Sequence, residues 1–227
     1  MNIATNLDFI MRTSRLTPLI AILTGITLQS TALATPDQPR IQQTINIFDN
    51  QITYPMSAWQ EAEYHQLKQS KRKSELFNTY RQQKNRSFIF EQIPSKETFK
   101  IWTKLNAISA IFHPDQKQVT PEHIAYNNKD TFKKSCTSYQ YIEIPVQTKT
   151  SRGLIVTIFC EQIKKTQEGE IMVKFITTTP NLTSIQIYSE WKGAPFNALD
   201  EKTWPVSWDT IKDQIERYKM VDIVTKQ

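Results

Sequence analysis

The chain has 227 residues, 39% hydrophobic and 22% charged, which is enough apolar material for one buried core and excludes a disordered or collagen-like chain. Its four glycines, Gly25, Gly153, Gly169 and Gly193, are scattered, which excludes the clustered-glycine phosphate loops of Rossmann and P-loop nucleotide sites. Three histidines and two cysteines are too few and too dispersed for a recognisable metal or thiol centre, and the net charge of +6 is mild.

Arg12 and Arg15 precede an uncharged 13-residue stretch, Leu16 to Leu28, and Ala32-Leu33-Ala34 then puts small residues where a signal peptidase reads. A secretory signal over residues 1–34 is expected, with cleavage before Thr35; Met11, just before the basic pair, is an alternative start. A transmembrane span needs about 20 apolar residues. This segment is shorter and diluted by Thr24, Gly25 and Thr27, so no transmembrane anchor is expected in the mature chain. No cysteine follows the cleavage site to take a lipid anchor, and the expected destination is the periplasm or the cell exterior. Removing Arg12, Arg15 and Asp8 leaves 26 basic and 21 acidic residues, a net charge of +5. The densest basic run, Lys68 to Lys73, lacks interleaved aromatics and reads as a solvated turn, so no nucleic-acid partner is expected.

Residues 35–44 are polar and read as a flexible mature N-terminus ahead of one domain over 45–227. Ile45–Tyr54 has strand-like residues divided by Asp49-Asn50, which suggests a short hairpin. Ser57–Lys73 has no clean apolar face. Leu76–Tyr80 and Ser87–Ile93 read as strands separated by polar Arg81–Arg86. After Pro94, Ser95 and Glu97 resemble a helix start, and Phe99, Trp102 and Leu105 would share a face. Ala107–Phe112 is a further strand, closed by His113-Pro114-Asp115. Tyr139–Val146 and Leu154–Cys160 flank the polar, glycine-containing segment 147–153 as a hairpin. In an exported chain Cys136 and Cys160 are expected to pair, because the midpoint of 136 and 160 falls inside that loop. Ile171–Thr178 and Leu182–Trp191 continue an antiparallel meander through Thr179-Pro180-Asn181. Finally Ser207 caps a helix with Trp208, Ile211, Ile215 and Tyr218 on one stripe. The expected fold is a single α+β domain, a mainly antiparallel sheet covered on one face by two amphipathic helices.

Phe90-Glu91-Gln92-Ile93-Pro94 leading through Glu97 to Trp102, then Phe159-Cys160, and Glu190-Trp191-Lys192-Gly193-Ala194-Pro195-Phe196 before the terminal helix carry a resemblance. Over about residues 86–220 the chain resembles a group of uncharacterised exported bacterial proteins whose layout is similar to the PsbP-like α+β fold. That resemblance implies a fold and an exported location, and brings no catalytic residue with it.

No H-E-x-x-H spacing and no G-x-S-x-G elbow is present, so no catalytic, cofactor or metal residue is assigned and no cofactor is expected. His113 with Asp115, and Glu122 with His123, read as loop polarity, with a base or metal site as the alternative. Glu91, Glu143, Glu161 and Glu190 lie in or beside strands, where a paired-carboxylate hydrolase and plain surface strand residues explain them equally well. Trp191, Trp204 and Trp208 fall within eighteen residues, and Trp191, Lys192 and Trp204 form the candidate ligand or partner surface. A non-enzymatic envelope protein that binds a partner or ligand is the expectation. A carboxylate hydrolase of peptide or glycan and a secreted protein contacting a host surface are the alternatives.

Overall fold

The computed structural model describes residues 39–70, 76–116 and 119–226, and Pro39 onward forms one compact unit. The expected signal segment and residues 71–73 of the basic run lie outside the described residues.

The chain is α+β, and the described residues form two antiparallel sheets and three α-helices. Strands β1 (Gln42–Ile47) and β2 (Asn50–Pro55) pair as a hairpin, so the stretch expected to be loose through residue 44 enters a sheet at Gln42. Phe48 and Asp49 both take positive φ (44° and 64°), the backbone that a two-residue hairpin turn requires. The C-terminal strand β10 (Asp222–Thr225) pairs with the other side of β2 and completes a three-stranded sheet.

The larger sheet contains β3 (Phe77–Lys84), β4 (Ser87–Pro94), β5 (Lys104–Phe112), β6 (Tyr139–Gln147), β7 (Arg152–Cys160), β8 (Gly169–Thr178) and β9 (Thr183–Gly193). Their order is β3-β4-β5-β9-β8-β7-β6, so β9 joins the meander expected over 139–191 to the earlier hairpin strands. Two expectations fail in this sheet. Polar Arg81–Lys84 does not interrupt a strand but continues β3, which turns through Asn85-Arg86. The helix expected from Ser95 is absent. Thr98 and Ile101 bridge across a tight turn, and the Glu97 carboxylate accepts from the Thr103 N–H (2.7 Å) and hydroxyl (2.6 Å). Leu105 belongs to β5, opposite Glu190.

Alternation along the strands gives this sheet two faces. The inner face carries Ile108, Ile155, Phe159, Val173, Phe175 and Ile187, all buried against the small sheet and helix α3 (Trp208–Tyr218). Ser207 caps α3, its hydroxyl accepting from the Thr210 N–H at 3.3 Å, and Ile211, Ile215 and Tyr218 point inward as the stripe predicts. Burying such side chains contributes roughly 1.5–3 kcal/mol each. Helix α1 (Ala58–Ser70) packs on the same face despite its polar sequence. Its buried Gln60 accepts from Asn106 and from Ser57, and donates to Gln92 at 2.9 Å, so hydrogen bonds replace an apolar stripe. Arg217 ties the two helices together through Glu61 (2.9 Å), Asp213 (2.6 Å) and the Met56 carbonyl (2.6 Å). The third helix, α2 (Pro121–Ser135), lies on the outer face.

Candidate functional site

Helix α2 begins at Thr120, whose hydroxyl accepts from the His123 N–H at 3.3 Å, with Pro121 in the first turn, where a missing N–H costs nothing. Lys133 and Lys134 suit the negative end of the helix dipole. Ala125 is fully buried against Leu154, Val156, Ile158 and Met172, and Tyr141 donates to the Ala125 carbonyl at 2.9 Å. At the far end Cys136 is the C-cap residue and is bonded to Cys160 of β7, with Cα atoms 5.6 Å apart. The pairing is as expected but the register is not. Tyr139 stands opposite Cys160, and Cys136 stands opposite Ile163, so the bond ties a helix end to the sheet.

Pinned along β7 and β8, α2 leaves a cleft of about 830 Å³ between its first turns and the ends of β5 and β9. The sheet contributes Ile111, His113, Ser184 and Gln186, and the helix contributes His123, Ile124, Asn127 and Asn128. His113 and His123, ten positions apart and separated by a loop and a helix start, thus line one cavity. His113 Nε2 lies 2.9 Å from Ser184 Oγ, and Asn128 donates to Gln186 Oε1 at 3.0 Å across the cleft. Burial holds the His113 imidazole below its ordinary pKa, so it is neutral at neutral pH. Asp115 also lines the cleft and pairs there with Arg86 at 2.6 Å. Among the described residues no group of three or more His, Cys, Asp or Glu side chains could hold a metal ion. The cleft offers mainly side-chain amide, hydroxyl and imidazole groups, with the Asp115 carboxylate at its rim.

Beside the cleft the outer face carries charge. Glu170 and Lys174 of β8 are buried, Tyr188 and Glu190 of β9 partly so, and Glu91 of β4 lies two strands away. Lys174 Nζ sits 4.6 Å above the Tyr188 ring and donates to Gln186 at 3.3 Å. Lys192 Nζ sits 4.0 Å from the Trp102 ring and 3.9 Å from Glu168 and Glu170. Burial, and then the neighbouring Glu170, push the Glu190 carboxyl up to about 8. Burial raises Glu91 as well.

Of the four carboxylates singled out, the structure therefore gathers Glu91 and Glu190 on one face. Glu143 is exposed on β6, and Glu161 accepts from the Ala198 N–H at 2.8 Å. The expected surface of Trp191, Lys192 and Trp204 is not one groove. Trp191 is only 3% exposed, in the inner core, while its neighbour Lys192 faces the other way. Trp204 packs on Phe159 at 4.8 Å and on Trp208 at 6.3 Å, and donates to the Asn197 carbonyl. Ser184, Gln186 and Asn128 escaped sequence reading. Their only signal was the Thr120-Pro121 helix start and the strand register that sets Ile111 opposite Ser184.

No protein family and no curated protein matches the chain. Solved structures that superpose on it include the Ran-binding protein Mog1p of Saccharomyces cerevisiae, 9% identical, covering 82% of this chain and 96% of that one at a TM-score of 0.43. A mutant of Mog1 is 11% identical and covers 80% of this chain and 95% of that one, at a TM-score of 0.46.

Proposed function

We propose that this chain is an exported protein that acts by binding, and that the cleft under α2 receives its ligand or partner. The carrying observation is the convergence of His113, Ser184, Asn128 and Gln186 on one cavity of about 830 Å³. Amide and hydroxyl groups held on the sheet and on a disulfide-pinned helix favour recognition of a polar group by hydrogen bonding. The Cys136–Cys160 bond suits an oxidising compartment, and no helix among the described residues is long and apolar enough to cross a membrane. Residence in the periplasm or cell envelope of a bacterium accords with the leader-like segment 1–34 and the resemblance to exported proteins of PsbP-like layout.

The test places a photo-crosslinking residue at Asn127, on the cleft rim, or at Lys165, exposed in the β7–β8 loop, in the producing cells. A discrete adduct at Asn127, absent at Lys165 and lost on adding Gln186→Ala, supports the reading; equal labelling at both positions sinks it. The mass of the exported protein should correspond to a chain starting at Thr35.

A carboxylate hydrolase is the second reading, favoured by Glu190, whose carboxyl at about 8 would be a proton donor at neutral pH, with Glu91 on the same face. Turnover of peptidoglycan or casein that is abolished by Glu190→Gln would establish it, and turnover unaffected by that change would remove it.

A further inference from the structure

A second surface, separate from the α2 cleft and independent of what that cleft binds, lies along the free edge of the large sheet. The sheet ends in β6 on one side and β3 on the other. β6 carries Pro145 at mid-strand, which removes an N–H from the ladder. β3 runs for eight residues with no proline, and among the described elements it pairs with β4 alone. Such a row of unused N–H and C=O groups is a template for another strand.

The register identifies which groups are free. The tight turn at Asn85-Arg86 makes Lys84 and Ser87 a hydrogen-bonded pair, and alternate residues then bond to β4: Gln82, Tyr80 and Asn78. Pro94, which has no N–H to give, falls opposite Phe77, at a non-bonded position of the same alternation. Thr79, Arg81 and Gln83 therefore turn both backbone groups outward.

The side chains along this edge define a partner. Arg81 and Lys84 are exposed on opposite faces, and the neighbouring loop adds Lys96 and Lys100. Among the nearby carboxylates Asp115 is paired with Arg86, and Glu63 lies beside Lys96 in one pocket. Glu97 is held by Thr103, and Glu91, opposite Tyr80, is half-buried and shifted by that burial toward its neutral form. On the outer face Tyr80 (42% exposed) meets Phe99 (39%) edge-on at 6.0 Å, and Ile101 is 80% exposed. The edge is thus basic, with one exposed apolar patch at the level of Tyr80. Two such basic edges repel each other, which disfavours a second copy of this chain as the occupant.

We propose that β3 accepts an extended acidic segment of a partner protein as an added antiparallel strand. In that direction the carboxylate facing Lys84 comes first, the one facing Arg81 three residues later, and an aromatic or aliphatic residue over Tyr80 immediately after. The occupant is therefore acidic-x-x-acidic-apolar in extended conformation, with main-chain bonds for affinity and charge for selection.

The probe is a fluorescein-labelled peptide with the core Glu-Val-Thr-Glu-Phe, blocked at both ends, titrated with the whole protein and followed by anisotropy. Wild type should bind it, more weakly by about tenfold at ~0.5 M salt, and should ignore the same peptide with Lys in place of Glu. Gln83→Pro removes one outward N–H without touching the β3–β4 ladder, and should cost at least about tenfold in affinity while leaving the melting temperature unchanged. Arg81→Glu with Lys84→Glu should reverse the preference, binding the Lys peptide instead. Equal binding of both peptides by wild type overturns the proposal, as does no binding at millimolar protein or a normally folded Gln83→Pro variant that binds as wild type does. Self-association by sedimentation that Gln83→Pro abolishes would give the edge to a second copy and likewise overturn it.

Discussion

The two faces of the seven-stranded sheet are built from different chemistry by the same strands. Along β8, Ile171, Val173 and Phe175 turn inward and are fully buried, while Glu170, Met172 and Lys174 turn outward. Along β9, Ile185, Ile187 and Trp191 turn inward, while Gln186, Tyr188 and Glu190 turn outward. The inner face is closed by a second sheet and two helices, and apolar burial dominates it apart from the hydrogen-bonded Gln60, Gln92 and Asn106 under α1. The outer face is closed by α2 over only part of its width, and what remains carries partly desolvated charge beside a polar cleft. Apolar packing and the polar cleft thereby lie on opposite sides of one sheet. Substitutions should sort by side.

The largest effect is expected inside. Ile215→Ala in α3 should cost about 2–5 kcal/mol, read as a lower midpoint in urea or heat, because it empties a packed position. An unchanged melt would mean that the α3 stripe is not core. Cutting the staple on the outer side comes next. Cys136→Ser with Cys160→Ser should cost roughly 3 kcal/mol through the loop it opens. Amides of α2 should then exchange with solvent faster than those of α3. Equal acceleration in both helices would show that the two faces are not energetically separable.

A pH series sharpens the comparison further. Because the Glu190 carboxyl is raised in the folded state to about 8, its contribution to stability is fully present below its unfolded value, near 4.5, and is lost as pH rises through about 8. Glu190→Gln keeps the neutral form at every pH. Its melting temperature relative to wild type should therefore rise between pH 5 and pH 9, with Glu170, Lys174, Lys192 and Glu91 as the charged neighbours common to both proteins. A pH-independent difference would show that the carboxyl is not desolvated. Smallest of all is Lys212→Ala on the solvent side of α3, where the 2.7 Å pair with Asp209 is exposed and the change should stay within about 0.5 kcal/mol.

The inner face was legible in the sequence and the outer one was not, for a physical reason. Trp208, Ile211, Ile215 and Tyr218 repeat at helical spacing, and β7 to β9 are rich in β-branched residues, so periodicity alone located them. Helix α2 buries one residue, Ala125, out of fifteen, and α1 buries Trp59 and Gln60, so neither has an apolar stripe to detect. The segment after Pro94 misled in the opposite sense. Ser95, Glu97, Phe99 and Trp102 imitate a capped amphipathic helix, yet Glu97 spends its carboxylate on Thr103 and closes a turn. Local spacing could not decide that contest. The cleft was invisible for a further reason: His113, Asn128 and Ser184 meet only because β5 pairs with β9, more than seventy residues apart in sequence.

That β5–β9 pairing also governs the order in which the molecule can assemble. Strands β6 to β9 find their neighbours locally, but β3 to β5 have no place in the sheet until β9 exists, and β2 waits for β10 at Asp222–Thr225. Contacts of such long sequence separation make for slow collapse to the native state, on the order of milliseconds to seconds for topologies dominated by them. Early in synthesis, hairpin β3–β4–β5 is therefore a ribbon without a partner, and Ile108, fully buried in the finished fold, has nothing to bury it. For everything that precedes it in the sheet, β9 is the strand whose pairing completes the ladder.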